Sequence, residues 1–394
     1  MREVTVFTNG DSSKLSTWSN VPYFFTQTLE KHNIKVNRID ISPEPRLKWM
    51  WILTFGWFFK LILGRNSSYS YFRSLTNSLN VKHRIKRALR RFSKSDANIF
   101  LTFSFSATHL SAKPIILFCD WPYEYYFKYF AERAPDIMER QSICRENANI
   151  EAADLVLPLF PHVAKYMISS YKNPNIYYLG NVINSAQESS EAEILALKKI
   201  SKSIVFIGGS QYAEGARALI KAFREFKRES PWLELDVIGM TDDYFERPLP
   251  EGVSCHGYLN KDKPDERQLY YGLIYKAKVL VNTTPKWGAF SAALEAMYHY
   301  TPVVVAPYPD FVDTFGQEID FGFYCLNNDV EDIVKSLRKA FMDPMYEELC
   351  INANKAGKGH TWDAYISKML QKIKSIGADQ VDSGERLQHQ PDGI

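Results

Sequence analysis

Short apolar runs alternate with longer amphipathic ones along most of the chain, as strands and helices do when they take turns. In the first half the strand-like runs are Val4–Thr8, Lys35–Ile41, Asn98–Phe103, Pro114–Cys119 and Asp154–Leu157. Pro22–Lys31 reads as a helix entered through Ser19-Asn20, whose side chains suit a helix start. The pattern breaks near residue 180: Asn184 to Lys202 is polar and charged and reads as a linker or a short exposed helix. A second series follows, with strands at Ser203–Gly208, Leu233–Gly239, Val279–Thr283 and Pro302–Ala306. Helices fall at Gly215–Glu229, Phe290–Tyr298 and Val330–Met342. Such alternation predicts parallel sheets covered by helices on both faces. Interrupted once, it predicts an α/β protein of two Rossmann-like domains facing a cleft, residues 1–185 and 186–359. In the final helix, Trp362 to Ile376, apolar residues at 362, 365, 366, 369, 370 and 373 make one buried face. A crossover segment, 360–376, is expected to return to the first domain, and the polar residues 377–394 to form a disordered tail.

One region departs from this pattern, an insertion at about 46–95. Trp49 to Leu63 is nearly all apolar, interrupted by Thr54, Gly56 and Lys60, and is shorter than the roughly 20 residues that span a bilayer. Further on, Lys82 to Phe92 is strongly basic, with Val81, Ile85, Ala88, Leu89 and Phe92 on one helical face. A basic amphipathic helix of this kind lies on anionic lipid; the alternative is a helix packed on its own domain with a solvated charged face. The expectation is peripheral contact with the inner face of the cell membrane.

Composition narrows the possibilities. The 394 residues, 45% hydrophobic and 24% charged, suffice for two globular domains. A net charge of +3 argues against nucleic acid as a partner. The five cysteines are widely spaced, with no CxxC pair, and fit a reducing compartment. Charged residues at the N-terminus lead directly into a strand pattern, so a cytoplasmic rather than secreted protein is expected. Asp242-Asp243 reads as a turn and no metal-ligand cluster stands out, so neither metal nor cofactor is expected.

An ordered set of motifs resembles glycosyltransferase family 4, the large retaining family with the GT-B fold. The motifs are Ile204 to Gly209, Leu235 to Gly239, His256-Gly257-Tyr258-Leu259, Leu294-Glu295-Ala296-Met297 and Thr301 to Val304. Ser16 to Tyr23, Asp120-Trp121-Pro122, Ala152 to Val156 and His360 to Asp363 fit the same series. The resemblance implies a transferase that moves a sugar from a nucleotide-sugar donor to a glycan or lipid-linked acceptor in cell-surface polysaccharide assembly.

In that setting Gly208 and Gly209 would let backbone N–H groups approach a diphosphate, though they also suit a plain tight turn. Glu295 would accept two hydrogen bonds from a ribose diol, and His256 to Leu259 would form the turn beside the base, His256 itself being structural. Asp120, at a strand's C-terminal end, would orient the acceptor hydroxyl or simply turn the chain before proline. Asp11, Ser12, Ser13 and Trp18 would line the acceptor side.

The sequence also departs from the family pattern. Glu214 stands where a lysine is usual, Trp287 where a glutamate is usual, and Ala289-Phe290 where Phe-Gly is usual. An acidic residue at 214 opposes a departing diphosphate, and Lys286 is the candidate to take over its charge. The rival reading is a GT-B protein that binds a glycan or a partner enzyme without turnover; an epimerase is more distant.

Overall fold

The computed structural model describes residues 1–58, 61, 68–131, 133–185, 187, 190–284 and 290–388, with only the backbone of 377–388. It divides into two units, residues 1–180 with 363–394, and residues 181–362.

The first unit is built on five parallel strands: β1 (Glu3–Thr8), β2 (Lys35–Asp40), β3 (Ala97–Phe100), β4 (Ile115–Cys119) and β5 (Leu155–Pro158). Their order, β2-β1-β3-β4-β5, reverses direction between β1 and β3. Its helices are α1 (Val21–Lys31), α2 (Pro45–Trp51), α3 (Leu75–Arg91), α4 (Tyr123–Tyr129), α5 (Ile137–Glu151) and α6 (Pro161–Ser170). Strands β3 and β5 are buried at every position, as expected when helices cover both faces of a parallel sheet.

The basic helix α3 corrects one expectation. Val81, Ile85 and Ala88 are buried in the unit's core, while Lys82, Lys86, Arg87, Arg90 and Arg91 are exposed. Its apolar face is therefore used within the protein and does not lie on lipid; Leu89 and Phe92 are only partly buried. Amphipathicity alone does not distinguish the two partners.

The second unit has six parallel strands: β6 (Ser203–Ile207), β7 (Glu234–Ile238), β8 (Val253–Cys255), β9 (Ala277–Asn282), β10 (Val303–Val305) and β11 (Gly322–Tyr324). The order β11-β10-β9-β6-β7-β8 is the dinucleotide-fold arrangement, with its reversal between β6 and β9. The helices are α7 (Glu191–Ile200), α8 (Ala213–Glu229), α9 (Pro264–Lys276), α10 (Ser291–Tyr298), α11 (Pro309–Phe315), α12 (Val330–Met342) and α13 (Tyr346–Lys358). Ala216, Leu219, Ile220, Phe223 and Phe226 form the buried stripe of α8, each large side chain contributing about 2–3 kcal/mol by burial. The polar stretch before β6 is not merely an exposed linker. Helix α7 buries Ile194 and Lys198, whose ammonium donates to the carbonyls of Ile274 (3.1 Å) and Ala277 (2.9 Å) and to Thr301 Oγ1 (2.7 Å).

The last helix, α14 (Trp362–Gln388), belongs to the first unit from Asp363 onward. Tyr365 packs edge-on against Phe118 of β4, with ring centroids 5.6 Å apart. The helix runs past residue 376, where a tail was expected, because Gly377 alone does not stop it and the following residues include good helix formers. Residues 389–394 lie outside the described residues.

Candidate functional site

Each sheet reverses strand order at one point, and open α/β sheets bind ligands there, at the carboxyl ends of the strands. In the first unit a cavity of about 390 Å³ occupies this position. Asn9 follows β1, Leu101 to Ser104 follow β3, and Cys119, Asp120 and Trp121 end β4. Trp18, Phe72, Arg73 and Glu146 complete the wall. A larger cavity of about 560 Å³, lined by Met1, Arg2 and Asp96 among others, lies at the opposite, amino-terminal edge, away from the reversal.

Asp120 Oδ1 accepts from the Trp121 N–H and from Cys119 Sγ, each at 3.0 Å. Burial pushes its carboxyl pKa up, against the opposing pull of those hydrogen bonds. Glu146 Oε2 accepts from Ser104 Oγ at 2.6 Å and from Arg73 Nη1 at 3.5 Å, and Oε1 accepts from the Tyr123 N–H. The Arg73 guanidinium also lies 3.3 Å from the centroid of the Tyr123 ring. Polar groups between aromatic walls suit a sugar, with its hydroxyls and apolar ring faces.

Of the four acceptor-side residues expected from sequence, Trp18 lines this cavity. It begins three successive left-handed residues, Trp18, Ser19 and Asn20, with φ of 37°, 53° and 72°. Such a run is costly for side chains other than glycine and sits where function concentrates strain. Asp11 instead accepts from Ser13, from the N–H at 2.9 Å and from Oγ at 2.7 Å, in a local turn, and Ser12 is buried. Arg73 and Glu146 had no signal in the sequence, since they lie far from Asp120 along the chain.

In the second unit the glycine turn follows β6. The Gly208 N–H donates to the Ile238 carbonyl at 2.9 Å, so a phosphate here would be met by amides further along the turn. A Cβ at Gly239, whose φ is +103°, would come within 2.4 Å of the Gly208 carbonyl, so two bare loops close on each other. His256 Nε2 pairs with Asp236 Oδ1 at 2.8 Å, and Gly257, with φ of 65°, donates to the Met240 carbonyl at 3.0 Å. Tyr258 is exposed and Leu259 buried. Lys286, with Trp287 and Ala289, lies outside the described residues.

Glu295 is placed differently from the open carboxylate a ribose would need. It sits mid-way along α10, 4% exposed, and all four of its acceptor positions are filled from within the chain. Lys261 Nζ donates to both oxygens at 2.7 and 2.9 Å, Tyr270 Oη donates at 2.8 Å and Tyr271 Oη at 3.2 Å. Lys261 also lies 4.1 Å from the centroid of the Tyr270 ring. A diol could bond to Glu295 only by displacing one of these donors.

Among the described residues, no group of three or more His, Cys, Asp or Glu side chains is placed to hold a metal ion. Asp242 instead pairs with Arg247 at 2.6 Å.

Residues 187–360 match the family model of glycosyl transferases group 1. No curated protein sequence matches the chain. Among solved structures, the chain is similar to sucrose-phosphate synthase from Thermosynechococcus elongatus, at 14% identity and TM-score 0.66 over 96% of this chain and 100% of that one. It is similar to Anabaena HepE in complex with UDP and glucose, at 14% identity and TM-score 0.58 over 94% and 99%. A Listeria monocytogenes protein described as a UDP-N-acetylglucosamine 2-epimerase gives 12% identity and TM-score 0.59 over 96% and 97%. The architecture is that of the GT-B glycosyltransferases, with two Rossmann-like units on parallel sheets. The family match lies within the second unit, and the GT-B architecture extends over both.

Proposed function

We propose that the protein transfers a sugar, with retention, from a nucleotide-sugar donor to a glycan or lipid-linked acceptor at the cytoplasmic face of the cell membrane, in the assembly of a cell-surface polysaccharide. The observation that carries the acceptor side is the cavity at the strand reversal of the first unit, with Asp120 at its wall. An acceptor hydroxyl bound there donates to Asp120. The bond from the anomeric carbon to the phosphate breaks, the nucleotide leaves with the electron pair, and the acceptor oxygen bonds to that carbon on the face the phosphate has left, which keeps the configuration. The acceptor's proton passes to Asp120, whose raised pKa suits it to hold one nearer neutral pH than an ordinary aspartate. On the donor side the turn at Gly208-Gly209 offers backbone amides to the phosphates, and Lys286 is the side chain assigned to their charge.

Nucleotide release over a panel of uridine, guanosine, adenosine and cytidine diphosphate sugars tests this reading. Uridine donors come first, because the HepE structure holds UDP and glucose. Turnover that falls in Asp120→Asn and Lys286→Ala is expected; binding of a nucleotide with no release in the presence of any acceptor would overturn it. A second reading, a GT-B protein that binds without turnover, is favoured by one observation, the saturated Glu295 carboxylate.

A further inference from the structure

The apolar segment that the sequence singled out is still unexplained once the core has been accounted for. Helix α2 and its continuation through a π turn (Ile52–Gly56) to Phe58 are fastened to the first unit on one side. Trp51 is buried there, its ring 6.0 Å from Tyr69 and 5.9 Å from Tyr71. Gly56 lies against it, the Trp51 ring standing at van der Waals distance from where a Cβ at 56 would be. With that side held down, Trp49, Leu53, Trp57 and Leu61 recur every fourth residue on the outside, 65%, 75%, 69% and 69% exposed. So contiguous an apolar face marks a contact surface.

A second stripe lies on α3. Leu75, Leu79, Lys82, Lys86 and Arg90 follow at helical steps and are all exposed, so the outer face of this helix begins apolar and turns basic. The two helices are tied together. Tyr71, which packs on Trp51, belongs to the turn Tyr71–Arg73 just ahead of α3, and Arg84 of α3 donates to the carbonyls of Asp40 and Ser42 (2.7 Å) just ahead of α2. Residues 45–58 and 75–91 hold two and six Lys or Arg respectively and no Asp or Glu, against a net charge of only +3 for the whole chain.

We propose that these two stripes form one landing surface for an anionic lipid bilayer. The aromatic and leucine side chains of α2 and the first turns of α3 enter the boundary between headgroups and acyl chains, and the cations further along α3 meet the lipid phosphates. A partner protein or a second copy would be matched by the apolar stripe alone; the acid-free basic stripe beside it selects a negatively charged surface. Among the described residues no helix is long and apolar enough to cross a membrane, so the surface rests on the bilayer. The Tyr71–Arg73 turn joins this surface to the cavity, since Tyr71 touches Trp51 while Phe72 and Arg73 line the wall. The cavity thus opens close to the lipid, as an acceptor carried on lipid requires; this corollary rests on the transfer reading above, whereas the landing surface does not.

Sedimentation of the full chain with phosphatidylcholine vesicles, with and without phosphatidylglycerol, tests the proposal without donor or acceptor. Binding to the anionic vesicles is expected, with tryptophan emission shifted to the blue. Leu53→Glu with Trp57→Glu should weaken it by on the order of tenfold or more, and Lys86→Glu with Arg90→Glu should remove the preference for anionic lipid. All four substituted positions are exposed, and circular dichroism checks that the variants fold. A wild-type chain that stays in solution at every composition would overturn the proposal. So would variants that bind like wild type, or a wild-type dimer that Leu53→Glu with Trp57→Glu converts to monomer without any vesicle binding. Nucleotide release, measured separately, keeps a failure of this surface distinct from a failure of the transferase reading.

Discussion

Asp120 in the first unit and Glu295 in the second both follow strands of a parallel sheet, β4 and β9, yet their surroundings differ. Glu295 is enclosed and receives four hydrogen bonds from Lys261, Tyr270 and Tyr271. Asp120 stands at the wall of a cavity, with Oδ1 receiving two hydrogen bonds and a carboxyl pKa that burial has raised. A carboxylate whose partners are all internal holds structure together; one poised at a cavity with an altered pKa is equipped to meet a ligand. Position in the fold marks both residues as candidates, and hydrogen-bond saturation separates them.

The largest effect that would test this contrast is on Glu295. Glu295→Ala leaves the Lys261 ammonium buried without its counter-ion, and should lower unfolding free energy by about 3–5 kcal/mol in urea titration. The double variant Glu295→Leu, Lys261→Met should recover most of that loss. A stable Glu295→Ala protein that had lost only nucleotide binding would restore the ribose role.

Glu139 extends the comparison to a saturated carboxylate in the first unit. Burial acts to raise its pKa, but hydrogen bonds from Arg133, the Asp136 N–H and Ser68 outweigh it and bring it down to about 2, from an ordinary 4.5. The native pKa is the lower one, so the contribution is complete above pH 4.5 and is lost as pH falls toward about 2. Glu139→Gln should therefore flatten acid denaturation across that window. Asp120 has the opposite sign. Its native pKa lies above 3.8, so its cost to stability grows as pH rises through 3.8 and disappears on acidification.

Asp120→Asn accordingly should change stability by less than about 1 kcal/mol while lowering the rate of sugar transfer by roughly 10²–10⁴-fold, read as kcat in the nucleotide-release assay. The smallest effect expected is at the left-handed run beside the cavity. Ser19 is exposed with φ of 53°, and Ser19→Gly should raise thermal stability by about 0.5 kcal/mol, the relief of strain being partly offset by the greater freedom of glycine when unfolded.

The strands and long helices could be read from the sequence because burial on both faces imposes apolar runs and burial on one face imposes a stripe. Val330–Met342 matches the observed helix residue for residue. The three-residue strands β8 and β11 are too short to show a period. Helix α9 carries Tyr270 and Tyr271 side by side in place of a clean stripe, because both hydroxyls serve Glu295. Of the cavity, Asp120 and Trp18 were visible as unusual residues near strand ends, whereas Arg73 and Glu146 come from helical turns elsewhere in the chain and meet Asp120 only once the sheet has formed. Lys198 gave no warning either: a lysine in a polar stretch looks solvated, and only three converging oxygens make its burial tolerable.

Gly215, near the start of α8, faces Thr284 so closely that a Cβ would fall 1.8 Å from the threonine hydroxyl. Thr284 is the last described residue before the stretch that holds Lys286. The bare hydrogen at 215 therefore acts as a spacer of minimum thickness beneath the root of that stretch. Exchanging it for even a methyl group would push Thr284, and with it the chain that leaves β9, away from the helix.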